Sequence, residues 1–306
     1  MPAADASGPP DPSAVALRGT HAARLADTLD GVSRAPHVAR VLRGPAPGIY
    51  STHTLSGRQF GRHWHDAYGF GILEEGAQRS ASGRGRVDAF PGQVITTNPG
   101  EVHDGRPLGS ATRRWCIVSV DADVFSSLIG HASAAEITHP VIDDPPLRHA
   151  LQRLFHRLGR WHARVGNRAA ERLACEESLV ETTVQLVARH GTARPPTDTA
   201  DCSLRRLREL LADAPLDPPS LATMAAMAGL SRYQVLRRFE KAYGLPPHAW
   251  LLCRRAEHAL RLIRDGETLI DAAAASGFAD QSHMTRVFAR YYGITPGAWR
   301  DAMAMQ

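Results

Sequence analysis

Two groups of side chains in the last third of the chain are spaced so that each would lie on the outer face of a helix. They are Arg232, Tyr233, Leu236 and Arg237, followed by Gln281, Ser282, His283, Thr285 and Arg286. Arginine pairs with guanine edges, glutamine pairs with adenine edges, and arginine and hydroxyl side chains also contact phosphates. Leu236 has no hydrogen-bonding group and could contact only a thymine methyl. The residue types therefore predict two surfaces that read double-stranded DNA.

These surfaces belong to two copies of an internal repeat, which is the strongest pattern in the sequence. The matched positions include Leu221 with Leu269, Ala225 with Ala273, Gly229 with Gly277, Phe239 with Phe288, and Trp250 with Trp299. Each copy therefore predicts a helix, a tight turn and a second helix. Many helical proteins place one glycine between two amphipathic helices, but two copies at one spacing indicate paired helix-turn-helix units.

The ends of these helices carry capping residues. Gly229 and Gly277 can adopt the positive φ that ends a helix. Ser231 and Asp280 can cap the second helix of each unit, and Thr268 can cap the first helix of the second unit. Because the caps set where each helix begins, they also set which side chains face outward.

The segment between the units, residues 247–265, has the apolar period of a helix. At about 1.5 Å per residue it would span roughly 28 Å. A rigid connector of that length can hold two recognition helices close to one turn of DNA apart, which is about 34 Å. One chain is therefore expected to read two successive major grooves.

Residues 204–299 resemble the DNA-binding domain of the AraC/XylS family of transcription regulators. The motifs that carry the resemblance are AAMAGLS at 225–231, RRF at 237–239, GFADQSHMTRVF at 277–288 and GITPGAWR at 293–300. The resemblance implies sequence-specific DNA binding, action alongside RNA polymerase, and no enzymatic activity. It also assigns base contacts to Tyr233, Leu236, Arg237, Gln281, Ser282, His283 and Arg286.

Between residues 48 and 120 the sequence consists of short strand-like runs separated by glycine and proline. The runs cover residues 68–73, 93–97 and 114–120, with turn signals at Gly76 and at the Pro-Gly pairs 91–92 and 99–100. This pattern predicts a β-sandwich or a small barrel.

Residues 62–107 resemble the small cupin-like β-barrel that precedes such DNA-binding domains. The matching residues are a His63-Trp64-His65 strand, Gly76, the Pro-Gly pair at 91–92 and the run NPGEVH at 98–103. Barrels of this kind enclose a small ligand at the mouth. The resemblance implies a small-molecule effector whose polar groups are bound by His63, His65, Glu101 and His103.

The same histidines leave a metal site as an alternative. His63, His65 and His103 match the type and order of the cupin histidine set, and neutral imidazoles bind zinc, iron or nickel. The cupin pattern places a glutamate four residues after the second histidine, where this chain has Gly69. Glu101 could take its place from a later strand. We expect no metal or other cofactor, and keep a metal-responsive regulator and a metal-dependent enzyme tethered to DNA as alternatives.

Two amphipathic helices are expected after the barrel. The first presents Leu147, Leu151, Leu154, Phe155 and Leu158 on one face. The second covers residues 168–189, and its apolar stripe is Leu173, Leu179, Val180, Val184, Leu186 and Val187. The stripe either packs on the barrel or pairs with the same helix of a second subunit, so a homodimer stays open.

Length and composition fit an α+β protein of two domains. The chain has 306 residues, 43% hydrophobic residues, a mean hydropathy of −0.26 and a net charge of +5. We expect a loosely ordered N-terminus at 1–34, which could include a short helix at 21–30. A cupin-like domain at 35–190, a linker at 191–203 and a DNA-binding domain at 204–306 should follow. No stretch resembles a membrane span or a signal peptide, so a cytoplasmic location is expected.

Overall fold

The computed structural model describes residues 36–129, 135–164, 168–192, 201–213 and 215–304. All of them belong to one compact unit that begins at Ala35. The helix expected at 21–30 lies outside the described residues. We call residues 36–192 the N-terminal domain, which contains the strands, and residues 201–304 the C-terminal domain, which is helical. Within the described part, no helix is long and apolar enough to cross a membrane.

Among the described residues, all the strands lie between residues 37 and 192, and every element from residue 202 onward is a helix. The strands are β1 (His37–Arg43), β2 (Ile49–Ser56), β3 (Phe60–His63), β4 (Ala67–Glu75), β5 (Gln78–Ser82), β6 (Gly85–Ala89), β7 (Val94–Thr97), β8 (His103–Pro107), β9 (Arg113–Asp121), β10 (Glu136–Ile137), β11 (Val141–Ile142) and β12 (Gly191–Thr192). The helices are α1 (Ala122–Ile129), α2 (Pro145–His162), α3 (Arg168–His190), α4 (Cys202–Asp213), α5 (Leu221–Ala228), α6 (Arg232–Tyr243), α7 (Pro247–Arg264), α8 (Leu269–Ala275), α9 (Gln281–Tyr291) and α10 (Pro296–Ala304).

The N-terminal domain contains two extended antiparallel sheets and a two-stranded pair, β10-β12. The larger has the strand order β1-β2-β9-β4-β7-β11, and the smaller has the order β3-β8-β5-β6. The sheet-rich fold expected from the broken apolar runs is therefore confirmed, and the three predicted runs correspond to β4, β7 and β9. Side chains alternate between the two faces of a strand, so Arg113, Trp115 and Ile117 of β9 share one face and Val118 and Val120 share the other.

The predicted His63-Trp64-His65 strand is wrong for two of its three residues. Strand β3 ends at His63, and Trp64 and His65 lie in the connection to β4. The physical reason is topological, since β3 belongs to the smaller sheet and β4 to the larger one. The chain must leave one sheet and enter the other within three residues.

Helices α2 and α3 bury apolar faces in one core with the larger sheet. Leu147, Leu151, Leu154 and Leu158 of α2 are buried there, as the helical period predicted. The stripe of α3 divides in two. Leu179 and Leu186 are buried in the same core and Val187 packs against it, whereas Leu173, Val180 and Val184 are 56, 39 and 45% exposed.

The linker expected at 191–203 is shorter than predicted. Gly191 and Thr192 form β12, which pairs with β10, and helix α4 begins at Cys202. Residues 193–200 lie outside the described residues. The proline and glycine content that suggested a linker did not reveal the short strand, because a two-residue pairing has no sequence period.

The C-terminal domain contains both predicted helix-turn-helix units, α5–α6 and α8–α9, joined by α7. Gly229 ends α5 with a φ of +64°, and Gly277 follows α8 with a φ of +77°. Ser231 caps α6 within a complete capping box, Thr268 caps α8, and Asp280 caps α9. All the predicted capping positions are therefore confirmed.

The two units have different surroundings. Val235 and Phe239 of the first unit are buried in a small core with residues of α4 and α5, and Trp250 of α7 packs against this core. Met284 and Phe288 of the second unit are buried in a larger core that also contains Val41, Trp64 and Val102 of the N-terminal domain. The second unit is therefore packed against the N-terminal domain, and the first unit has a core of its own.

Candidate functional site

A cavity of about 160 Å³ lies between the two sheets of the N-terminal domain. We call it the central cavity. Its wall includes Thr54 of the larger sheet and Gln78 and Val87 of the smaller one. A cavity of similar size in another protein holds a benzene molecule. The space therefore suits a small organic ligand.

The C-terminal domain closes part of this cavity. Tyr291, Tyr292, Ile294 and Trp299, from the end of α9 through α10, contribute to the wall. Trp299 meets the ring of Tyr50 edge-on, with ring centroids 4.6 Å apart. A ligand in the central cavity would therefore touch both domains at once.

Three of the predicted effector residues form one cluster in the cavity wall. His63, His65 and His103 each offer one ring nitrogen within 4.8 Å of the others. Two tyrosines cover the cluster. The rings of Tyr291 and His63 are stacked with their centroids 5.9 Å apart, and the ring centroids of Tyr292 and His65 are 5.0 Å apart. Strand pairing explains part of the arrangement, since His63 of β3 is directly opposite His103 of β8.

Hydrogen bonds set the direction of two of these rings. His63 Nδ1 donates to the Gly61 carbonyl at 2.7 Å, and His103 Nδ1 donates to the Glu101 carbonyl at 2.9 Å. The Nε2 atom of each ring then carries the lone pair, which can accept a ligand proton or bind a metal ion. Burial lowers the pKa of His63 and of His103 and brings that of His65 to about 3, so all three rings are neutral at pH 7.

Glu101 also lines the cavity, but its carboxylate is bound elsewhere. It forms an ion pair with Arg84 and accepts hydrogen bonds from the backbone and side-chain N–H groups of Asn98 at 3.1 and 3.0 Å. The structure therefore brings the three histidines together and directs the Glu101 carboxylate toward its own loop.

A second carboxylate, Glu257 of α7, approaches the cluster from the C-terminal domain. It is 5% exposed, its Oε1 lies 3.5 Å from His65 Nδ1, and it accepts a hydrogen bond from Tyr292 at 2.6 Å. Burial raises its pKa to about 7. Sequence reasoning missed this residue, although a glutamate in register with Cys253 and Leu260 on the apolar face of a helix is a readable signal.

Ion pairs on α7 join the domains next to this site. Asp66 lies 3.4 Å from both Arg254 and Arg261. Asp121, the last residue of β9, lies 2.6 Å from Arg264. The helix that connects the two helix-turn-helix units is therefore held to one end of the N-terminal domain, where β4 begins and β9 ends.

The predicted DNA-reading side chains lie on α6 and α9. Those on α6 are all exposed, with Tyr233 at 70%. On α9, Gln281, Ser282 and Arg286 are exposed, while His283 and Thr285 are half-buried. The remaining exposed residues of the α6 group are Arg232, Leu236 and Arg237.

Local contacts explain the two half-buried residues. The ring of His283 packs edge-on against Phe278 at 5.3 Å, and its backbone N–H is bound by the Asp280 cap at 2.6 Å. Thr285 Oγ1 donates to the Gln281 carbonyl at 2.8 Å. Both helices thus present polar outer faces that reach solvent.

Two family models match consecutive segments of the chain. The first is described as an AraC-like ligand binding domain and matches residues 48–182, and the second is described as a helix-turn-helix domain and matches residues 224–302. The ligand-binding match contains the central cavity's strands, and the helix-turn-helix match contains both recognition helices.

Proteins with similar sequences are named as transcriptional regulators. An uncharacterized HTH-type transcriptional regulator of Bacillus subtilis strain 168, YbfI, is 25% identical over 229 residues, which cover 74% of this chain and 82% of that protein. The HTH-type transcriptional regulator MtrA of Neisseria gonorrhoeae is 34% identical over 101 residues, 33% of this chain and 34% of that protein. The structure of ToxT from Vibrio cholerae O395 aligns with 88% of this chain and 99% of its own, with a TM-score of 0.48 and 12% identity.

The two matched segments lie in the two folded domains, the ligand-binding match in the N-terminal domain and the helix-turn-helix match in the C-terminal domain. The N-terminal match implies a small-molecule ligand, and the C-terminal match implies DNA as the partner. Neither family description nor the relatives' names describes an enzyme. The chain belongs to the AraC family of transcription regulators, with a ligand-binding domain ahead of a DNA-binding domain of two helix-turn-helix units.

Proposed function

We propose that a small organic molecule bound in the central cavity controls how this regulator binds DNA. The observation that carries the proposal is the shared wall, to which the N-terminal strands and Tyr291, Tyr292, Ile294 and Trp299 all contribute. His63, His65 and His103 would hold the polar groups of the effector through their Nε2 atoms, and Glu101 would hold the loop beside them.

The proposed coupling acts through the second helix-turn-helix unit. That unit shares its core with the N-terminal domain, whereas the first unit does not. A ligand that pushes on Tyr291 or Trp299 would shift α9 and α10 relative to the first unit. The free energy of this coupling must be reciprocal, so DNA would change effector affinity by the same factor.

We further propose that the exposed side chains of α6 and α9 read two adjacent major grooves. Helix α7 has 18 residues and spans about 27 Å, which suits recognition helices roughly one DNA turn apart. Arg237 and Arg286 are the residues expected to bind guanine, each contributing about 1–3 kcal/mol of discrimination. The remaining contacts are assigned to Arg232, Tyr233, Leu236, Gln281, Ser282, His283 and Thr285.

Selection of genomic DNA fragments with the purified chain tests this readout. The expected result is a motif of two short blocks about one helical turn apart. Arg237→Ala should relax one block and Arg286→Ala the other. Arg300→Ala is the control, because Arg300 is exposed on α10 and paired with Asp301. Binding without sequence preference, or equal effects of all three variants, would contradict the proposal.

The histidine cluster favours a second candidate function, a response to a divalent metal ion. The cluster offers three neutral imidazoles, a donor set that zinc and other divalent ions accept, with Lewis acidity as the chemistry such an ion supplies. Calorimetric titration with zinc should then give one site per chain that His103→Ala abolishes and His149→Ala, on the exposed face of α2, retains. If zinc does not bind stoichiometrically, the proposed metal response is refuted and the organic effector is the one candidate that remains.

Two partner proposals and a location complete this account. Leu173, Val180 and Val184 form an exposed apolar face on α3, which would pair with the same face of a second copy. Sedimentation should show a dimer that Val184→Lys weakens. Arg172→Ala should leave the dimer unchanged, because Arg172 lies about 100° around the helix from this apolar face.

We also expect contact with RNA polymerase at the promoter in the cytoplasm. Co-retention of polymerase on operator DNA, measured with and without the chain, tests this contact.

A further inference from the structure

Arg113 is a charged residue inside the N-terminal domain. It opens β9 on the face that looks into the central cavity, and it is 1% exposed. Burial of a guanidinium is costly unless an anion or several acceptors compensate for the lost water. Its partners therefore indicate what the cavity is built to receive.

The protein gives Arg113 neutral acceptors only. Its Nε donates to Gln78 Oε1 at 2.7 Å, and its Nη1 donates to the carbonyls of Arg58 at 3.0 Å and Ser56 at 3.5 Å. Among the described residues, no carboxylate lies within ion-pair distance of this guanidinium. Burial lowers the pKa of Arg113 to about 10, so the group is still a cation at neutral pH.

The carboxylates that line the same cavity are bound to other groups. Glu101 pairs with Arg84, and Asp104 accepts the Ala81 N–H at 2.7 Å. Of the described residues in the cavity wall, Arg113 is the one arginine or lysine. The cavity therefore contains a positive charge with no negative partner.

The unused donor of this guanidinium is Nη2. Nη1 and Nε make the hydrogen bonds to protein, and Nη2 makes none among the described residues. Gly105, which also lines the cavity, leaves space beside it, since a Cβ at this position would lie 3.5 Å from Nη2. A ligand oxygen can reach Nη2 through that space.

Two aromatic rings lie against the guanidinium. Its Cζ lies 4.6 Å from the ring centroid of Trp115 and 5.7 Å from that of Phe60. Ile117 and Ile294 continue the wall away from the charge. A matching ligand has an anionic head and an apolar or aromatic body.

We propose that the effector is a small organic acid whose carboxylate accepts a hydrogen bond from Arg113 Nη2 and whose apolar body fills the central cavity. This inference rests on the proposed function, in which the central cavity is the effector site. It adds the chemical class of the effector and a residue that recognises it.

A panel of matched acids and amides tests the inference on the full chain. Benzoate, phenylacetate and straight-chain acids from butyrate to octanoate are compared by calorimetry with their primary amides, which have nearly the same shape without the charge. A charge-assisted hydrogen bond should make the best acid about 10- to 100-fold tighter than its amide. Inorganic phosphate is titrated in parallel, because a bare anion can meet Arg113 without filling the apolar wall.

Variants separate recognition by Arg113 from general effects. Arg113→Met should remove the preference for the acid, and Arg113→Lys should keep part of it. Gly105→Val fills the space beside Nη2 while leaving the guanidinium and its protein partners in place, so it should weaken acid binding even if Arg113→Met does not fold. Arg79→Met is the control, because Arg79 lies outside the cavity wall and pairs with Asp88 at 2.6 Å.

The outcomes are distinct. Loss of acid preference in Gly105→Val and Arg113→Met, with the control unchanged, supports the inference. Equal binding of acids and amides, no binding by any acid, phosphate binding as tight as the best acid, or unchanged preference in both variants overturns it. If acids bind through Arg113 and operator affinity stays the same, the recognition of organic acids by Arg113 stands and the proposed control of DNA binding fails.

Discussion

Removal of the Trp299 side chain should affect stability and ligand binding together. Trp299 is 1% exposed, meets Tyr50 of the N-terminal domain edge-on at 4.6 Å, and lines the central cavity. Truncation of a fully buried tryptophan to alanine costs about 3–5 kcal/mol. The loss of buried apolar surface and the cavity left behind both contribute to this cost. Trp299→Ala should therefore lower the free energy of unfolding by that amount and enlarge the central cavity.

The internal repeat supplies a matched control. Trp250 occupies the equivalent position in the first copy of the repeat, near the start of α7. It is half-buried and packs on Trp64 of the N-terminal domain with ring centroids 5.6 Å apart, but it does not line the central cavity. Trp250→Ala should cost roughly half as much, in proportion to its smaller buried area. It should leave ligand affinity unchanged.

Urea unfolding followed by circular dichroism measures both costs without relying on tryptophan fluorescence. Calorimetry with the tightest acid of the panel then measures the affinity of each variant. If Trp250→Ala and Trp299→Ala destabilise equally and change ligand affinity by the same factor, the assignment of Trp299 to the cavity wall is refuted.

Three further changes test separate parts of the account. Ser231→Ala removes the capping box of α6 and should cost about 1 kcal/mol, with weaker protection of one operator block in footprinting. Asp121→Asn breaks a half-exposed ion pair with Arg264, so it should cost under about 1 kcal/mol, and a double-mutant cycle with Arg264→Gln measures the pair. Burial alone would raise the pKa of Asp144, but hydrogen bonds from His190 and a backbone N–H lower it below its ordinary 3.8. The stabilisation is thus present above that value and lost as the pH falls below it, so the stability gap between wild type and Asp144→Asn should shrink as the pH falls through this range.

Local patterns were enough to predict the two helix-turn-helix units and the helix between them. Apolar spacing, the glycines after α5 and α8, and the capping residues Ser231, Thr268 and Asp280 all act within a few residues of the chain. Because these interactions are local, one sequence contains the information that sets them. The same reasoning predicted α2, because its apolar face shows in the spacing of its leucines whatever surface it packs against.

The central cavity could be predicted only in part, since its chemistry depends on distant residues. The histidines were found from their types, but Glu257 reaches His65 from a helix almost two hundred positions later in the chain. Arg113 went unnoticed because its significance lies in the absence of a carboxylate around it, which requires the fold. The division of the α3 stripe into buried and exposed parts also depends on which of its residues face α1 and α2.

The most direct test of the account is operator affinity measured with and without a saturating cavity ligand, together with ligand affinity measured with and without operator DNA. We expect both affinities to change by the same factor, about 5- to 150-fold, as coupling between two sites requires. A ligand that binds tightly while leaving operator affinity and the spacing of the protected DNA blocks unchanged would contradict the claim that the central cavity controls DNA binding.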